Sequence, residues 1–166
     1  MNTVYWVFGA LTAVAAFTDY KSGKIYNWLT FPAMLAGFGI AAYFGNGMLI
    51  GALQGWGLAF AVFAPLFFLG IMGAGDAKLM MALGTVLGPQ ATLDVVLWSL
   101  AFAGVGGLIL LFAHKRQGIF ATEILHFLQS LFTPGLKLQW PKLSKDITAP
   151  FGLAIFAAFV VVRCLS

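Results

Sequence analysis

Six runs of apolar residues (2–18, 28–44, 48–71, 78–87, 92–112 and 149–165) occupy most of this chain, and charged side chains hardly interrupt them. A membrane-spanning helix requires roughly 20 apolar residues, with about 17 as the practical lower end. The runs therefore set the main constraint: this chain folds against lipid. At 166 residues it has room for the spans and little else, so one transmembrane domain over 1–166 is expected. With 61% of residues hydrophobic and 8% charged, an ordinary soluble domain is excluded.

Within hydrocarbon the backbone must satisfy its own polar groups, which leaves helices or a closed barrel. No strand-like alternation is present, so the expected fold is all-α, with six transmembrane helices. The fourth run, 78–87, is too short to span alone. It must borrow length from the 73–76 segment or from the turn at Gly88 and Pro89.

Charge placement gives the orientation. With six crossings, Lys21, Lys24, Lys78, Lys115, Arg116, Lys137, Lys142 and Lys145 fall on one side and Arg163 on the other. By the positive-inside rule the first side is cytoplasmic and both termini face outward. The nine basic residues are scattered through short gaps and form no continuous basic face, which argues against nucleic acid as a partner. No basic segment precedes the first run, so it is expected to stay as a span rather than be cleaved as a signal.

The long gap 113–148 contains Phe120, Ile124, Phe127, Leu128 and Leu131 at helical spacing, which predicts an amphipathic helix in the cytoplasmic interface between spans five and six. His114 and His126 fall there without a partner acid at metal-ligand spacing. The lone Cys164 can form no internal disulfide. The Gly51–Gly55 spacing is of the kind that lets helix backbones approach closely, and Pro65 predicts a kink in the third span.

An acid in or beside a span is costly, by roughly 2.5 to 3.5 kcal/mol at a helix centre, so each of the five acids needs an explanation. Asp94 opens the fifth span on the outer side, and Glu123 and Asp146 lie in the long cytoplasmic gap. Asp19 and Asp76 differ from these. Each stands where a span ends or begins on the cytoplasmic side, so the two can meet at one depth despite their distance in sequence. Paired carboxylates suit aspartic peptidase chemistry, in which one activates a water and its protonated partner polarises the scissile carbonyl. Held close together, two such groups cannot both ionise cheaply and keep one proton between them. Read singly, Asp19 is a solvated helix-end residue beside Lys21, and Asp76 is a helix N-cap.

Asp76 is set in Gly73-Ala74-Gly75-Asp76-Ala77-Lys78-Leu79, where the glycines permit close backbone approach. The segment lacks the third glycine of a dinucleotide loop and the lysine of a phosphate loop. It resembles the GxGDxKL motif of the type IV prepilin peptidases, a branch of the GxGD membrane aspartic peptidases. Lys24-Ile25-Tyr26-Asn27 resembles the basic-Ile-Pro-Asn element that follows the family's first aspartate, with Tyr26 where proline is usual. Pro150-Phe151-Gly152 resembles the family's Pro-aromatic-Gly element.

The resemblance implies a multi-pass bacterial inner-membrane endopeptidase with Asp19 and Asp76 as its catalytic pair. Lys24, Ile25, Asn27, Gly73, Gly75, Lys78, Pro150 and Gly152 would be its supporting residues. The substrate it implies is a prepilin, cut at the cytoplasmic face after a short basic leader while its hydrophobic helix lies in the bilayer; pilus assembly machinery is a further expected partner. No cofactor and no metal are implied. The family's cysteine-bearing insertion is not found between the spans, so the similarity is to the short form that serves Flp-type (tight-adherence) pili, without methyltransferase activity. Lys78 reads either as a tuner of the acids or as a topology-setting lysine, and Asn27 either as a cap of the second helix or as a hydrogen-bonding group near the site. Two other classes fit parts of the pattern: a small ion- or proton-coupled transporter, and a noncatalytic subunit of a pilus or secretion machine.

Overall fold

A computed structural model of the chain describes residues 2–113 and 151–165. Among these residues the regular structure is entirely helical: α1 (Asn2–Ser22), α2 (Asn27–Tyr43), α3 (Asn46–Phe68), α4 (Ala74–Ala113) and α5 (Phe151–Leu165). The helices follow the apolar runs closely. At about 1.5 Å per residue, the 21 residues of α1 and the 23 of α3 extend roughly 31 and 35 Å, enough for the hydrocarbon layer. Two helices, Asn46–Phe68 and Ala74–Gly107, are long and apolar enough to cross a membrane. Large apolar side chains, among them Trp6, Phe17, Trp28, Leu35 and Phe68, point outward as lipid-facing residues would.

Glycine ends the helices, and two of these stops matter for the site. Gly23, at φ 59°, donates its N–H to the Asp19 carbonyl at 2.7 Å and closes α1 with a left-handed cap. Gly70, at φ 71°, ends α3 in a Schellman arrangement: its N–H reaches the Phe67 carbonyl at 2.9 Å, and that of Ile71 reaches Leu66 at 3.0 Å. Pro65 lies in the last turn of α3, just before this stop.

α4 is two rods. Gly88 leaves helical geometry (φ 72°, ψ 178°) directly before Pro89, so the chain breaks there and continues as a second helix. The first rod begins at Ala74, so the short fourth run does take its extra length from the glycine-rich segment that carries Asp76.

The bundle is organised around α4, which contacts all four other helices, while α1 also packs along α5. Small residues set the closest approaches. A Cβ on Gly55 of α3 would strike the Gly84 carbonyl of α4, and one on Gly37 of α2 would strike Thr85. Gly51, by contrast, faces open space, so only Gly55 of the GxxxG pair makes a helix contact here. Phe63, Leu79, Met80, Leu83, Val95, Val96 and Ile155 fill the interior. The expected interfacial helix falls in 114–150, outside the described residues, as do His114, His126, Glu123, Asp146 and Pro150.

Candidate active site

Asp19 and Asp76 line the same open cavity of about 300 Å³, together with the turn residues Gly23 to Asn27 and with Gly73, Ala74 and Gly75. Both acids are buried, at 9% and 7% exposure, and they lie close enough for the Asp19 charge to act on Asp76. Helix ends bring them there. Asp19 is in the last turn of α1, just before the Gly23 stop; Asp76 is in the first turn of α4.

Each carboxylate is braced by a glycine N–H. For Asp76 the donor is Gly73, at 3.2 Å to Oδ2. Gly73 immediately precedes α4, so Asp76 is the third helical residue reaching back to the cap position, the acid half of a capping box rather than an N-cap itself. Its other oxygen, Oδ1, is buried with no hydrogen-bond partner among the described residues. For Asp19 the donor comes from the far end of the sequence: the Gly152 N–H, in the first turn of α5, donates to Oδ2 at 2.8 Å. A Cβ on Gly152 would lie 3.0 Å from that oxygen and 3.1 Å from Asp19 Cβ, tighter than ordinary contact, so glycine eases the close approach of α5.

The two other sequence elements meet in the same way. A Cβ on Gly75 would lie 2.8 Å from Ile25 Cβ and 3.0 Å from the Ile25 carbonyl, so Gly75 is the seat on which the turn after α1 rests. Asn27 does not cap α2 with its side chain; its Oδ1 accepts a hydrogen bond from Lys78 Nζ at 2.9 Å. That ammonium also sits 5.0 Å from the Phe31 ring centre. Lys78 thus ties the start of α2 to α4. Lys24 is exposed at the cavity rim. Tyr26 adopts φ −79°, ψ 137°, within the range a proline ring would impose, so the turn has the backbone that proline favours without having proline.

Asp19, Lys24, Ile25, Asn27, Gly73, Gly75, Lys78 and Gly152 therefore gather at one end of the bundle. Phe31, which stacks under Lys78, and Gly23, which stops α1 at the acid, were not singled out from sequence. The Gly23 signal was available, as a glycine just after an apolar run and a lysine. Chemically, the cavity offers two adjacent carboxyl groups held by backbone amides and a rim open to an incoming chain.

Residues 6–114 match the type IV leader peptidase family. Over 116 residues the chain is 31% identical to the prepilin leader peptidase/N-methyltransferase of Myxococcus xanthus (strain DK1622), a match covering 66% of this chain and 35% of that protein. The chain thus spans about a third of the length of this curated relative. No solved structure matches.

Proposed function

The chain belongs to the type IV leader peptidase family, and from that premise we propose that it is a membrane aspartic endopeptidase which removes the cytoplasmic leader of a prepilin, with Asp19 and Asp76 as its catalytic pair. The observation that carries this reading is the shared cavity: two buried carboxylates from distant helix ends line one opening, each held by a glycine amide. In the reaction, a water between the acids attacks the peptide carbonyl; the ionised acid takes a proton from the water, and its protonated partner donates one to the carbonyl oxygen.

The chain is read as crossing the inner membrane six times, counting α4 as two spans, with both termini outside and the acids at the cytoplasmic face. Charge asymmetry supports that orientation. A substrate helix lying in the bilayer would then bring its leader junction to the depth of the cavity. Flp-type pilins are the proposed substrates, on the resemblance to the short form of the family.

The test is leader cleavage by purified protein in detergent, using a candidate pilin with a glycine-ended leader. Asp19→Asn and Asp76→Asn should each lower the rate by at least about 10²-fold while the protein still inserts. Full processing by both variants would refute the assignment.

A further inference from the structure

The two acids are held differently. Asp19 Oδ2 receives a short amide hydrogen bond, 2.8 Å from Gly152, whereas Asp76 Oδ2 receives a longer one, 3.2 Å from Gly73. Asp76 also has a buried second oxygen with no partner among the described residues. Helix termini do not separate them: Asp76 lies in the first turn of α4, Asp19 faces the first turn of α5, and both positions favour a negative charge. The opposing end of α1 is blunted, since the Asp19 carbonyl is already taken by Gly23.

Among the described residues, nearby cations do not reverse the order. Lys78 is engaged by Asn27, Lys24 is exposed at the rim both acids share, and Lys21 is exposed in the last turn of α1. The first turn of α5 brings no titratable residue. Among the described residues the local bracing of each carboxyl is left to decide. A short amide bond supports a carboxylate, whereas burial of an oxygen that no donor satisfies disfavours the charged form.

We propose that the pair is asymmetric: Asp19 is the ionised base, Asp76 carries the proton, and Gly152 is the positioning residue that sets this order through its amide. This rests on the aspartic peptidase reading above. The water oxygen bonds to the scissile carbonyl carbon as the C=O π bond opens; the water proton goes to Asp19 and the Asp76 proton to the carbonyl oxygen. When the C–N bond breaks, Asp19 returns its proton to the leaving amine. A hydroxyl of the collapsing diol re-protonates Asp76, so both acids end as they began.

Dicyclohexylcarbodiimide, an apolar reagent that traps protonated carboxyls, applied near neutral pH and followed by peptide mapping, reads the order directly in the unaltered protein. The adduct is expected on Asp76 alone. An adduct on Asp19, on both equally or on neither overturns the proposal. In Gly152→Ala the new Cβ, 3.0 Å from Asp19 Oδ2, should push the carboxylate off its amide by a few tenths of an ångström. Labelling should spread to Asp19, and kcat should fall by about 10²-fold with KM within about twofold, the pattern of misplaced chemistry rather than lost binding. A fall confined to KM, or unchanged kcat, overturns it as well. Because labelling needs no substrate, failure of the asymmetry is distinguishable from failure of the peptidase reading, in which the unaltered protein cleaves no prepilin.

Discussion

Gly75→Ala is the sharpest probe of how the cavity is built. Carbon atoms in comfortable contact lie about 3.5 to 4.0 Å apart, whereas the added methyl would sit 2.8 Å from Ile25 Cβ and 3.4 Å from its Cα. It would also sit 3.0 Å from the Ile25 carbonyl oxygen. None of these atoms is the tip of a flexible side chain, so the turn must retreat from α4 by about 1 Å, and Asp19, four residues before Gly23, is attached to that turn. A misplacement of about 1 Å is enough to cost on the order of 10²-fold in rate, and the overpacking should destabilise the fold by about 1 to 3 kcal/mol. The assay is single-turnover leader cleavage in detergent, paired with thermal unfolding. Gly57→Ala serves as the control: Gly57 lies within α3 and a methyl there meets nothing within 4 Å, so that variant should keep its rate and gain about 0.5 to 1 kcal/mol. If Gly75→Ala cleaves at the unaltered rate with unchanged stability, Gly75 is not the seat of the turn.

Two further outcomes follow from the same end of the bundle. Tyr26→Pro should be tolerated and raise stability by about 0.4 to 1 kcal/mol, because the backbone already has a proline-like φ of −79°; a fall in melting temperature would show that the ring or the lost N–H matters. Asn27→Ala and Lys78→Met should each cost about 0.5 to 1.5 kcal/mol by breaking the 2.9 Å tie. The double variant should lose little more than either alone, whereas strictly additive losses in unfolding experiments would mean that the two residues do not act on each other.

The helices, and the placing of the two acids at helix ends, were legible because both follow from apolar runs and their interruptions. Asp19 precedes a lysine and a glycine, and Asp76 sits among glycines at the start of a run; those are local signals. The bonds holding the acids were not legible. Gly152 reaches Asp19 only because α5 packs along α1; the Pro150-Phe151-Gly152 element marked Gly152 as a supporting residue, but not that its amide meets Asp19. Gly75 was readable as a place of close approach, but not that Ile25 is what approaches. Asn27 was readable as a polar residue at a helix start, yet which of its roles won was decided by Lys78, a full helix pair away. The Gly51–Gly55 spacing looked like one motif, and the fold separates it, because only Gly55 faces α4. The break at Gly88 was legible, because the dipeptide Gly88-Pro89 separates the apolar runs 78–87 and 92–112.

The left-handed stop at Gly23 turns the aspartate's bearing into a matter of counting. Successive residues of an α-helix are rotated by about 100°, so one residue inserted or deleted between the packed stretch of α1 and Asp19 would swing the carboxylate from the cavity toward lipid. Side chains on the outer flank of this rod are free to drift over evolutionary time, but its length in residues is not.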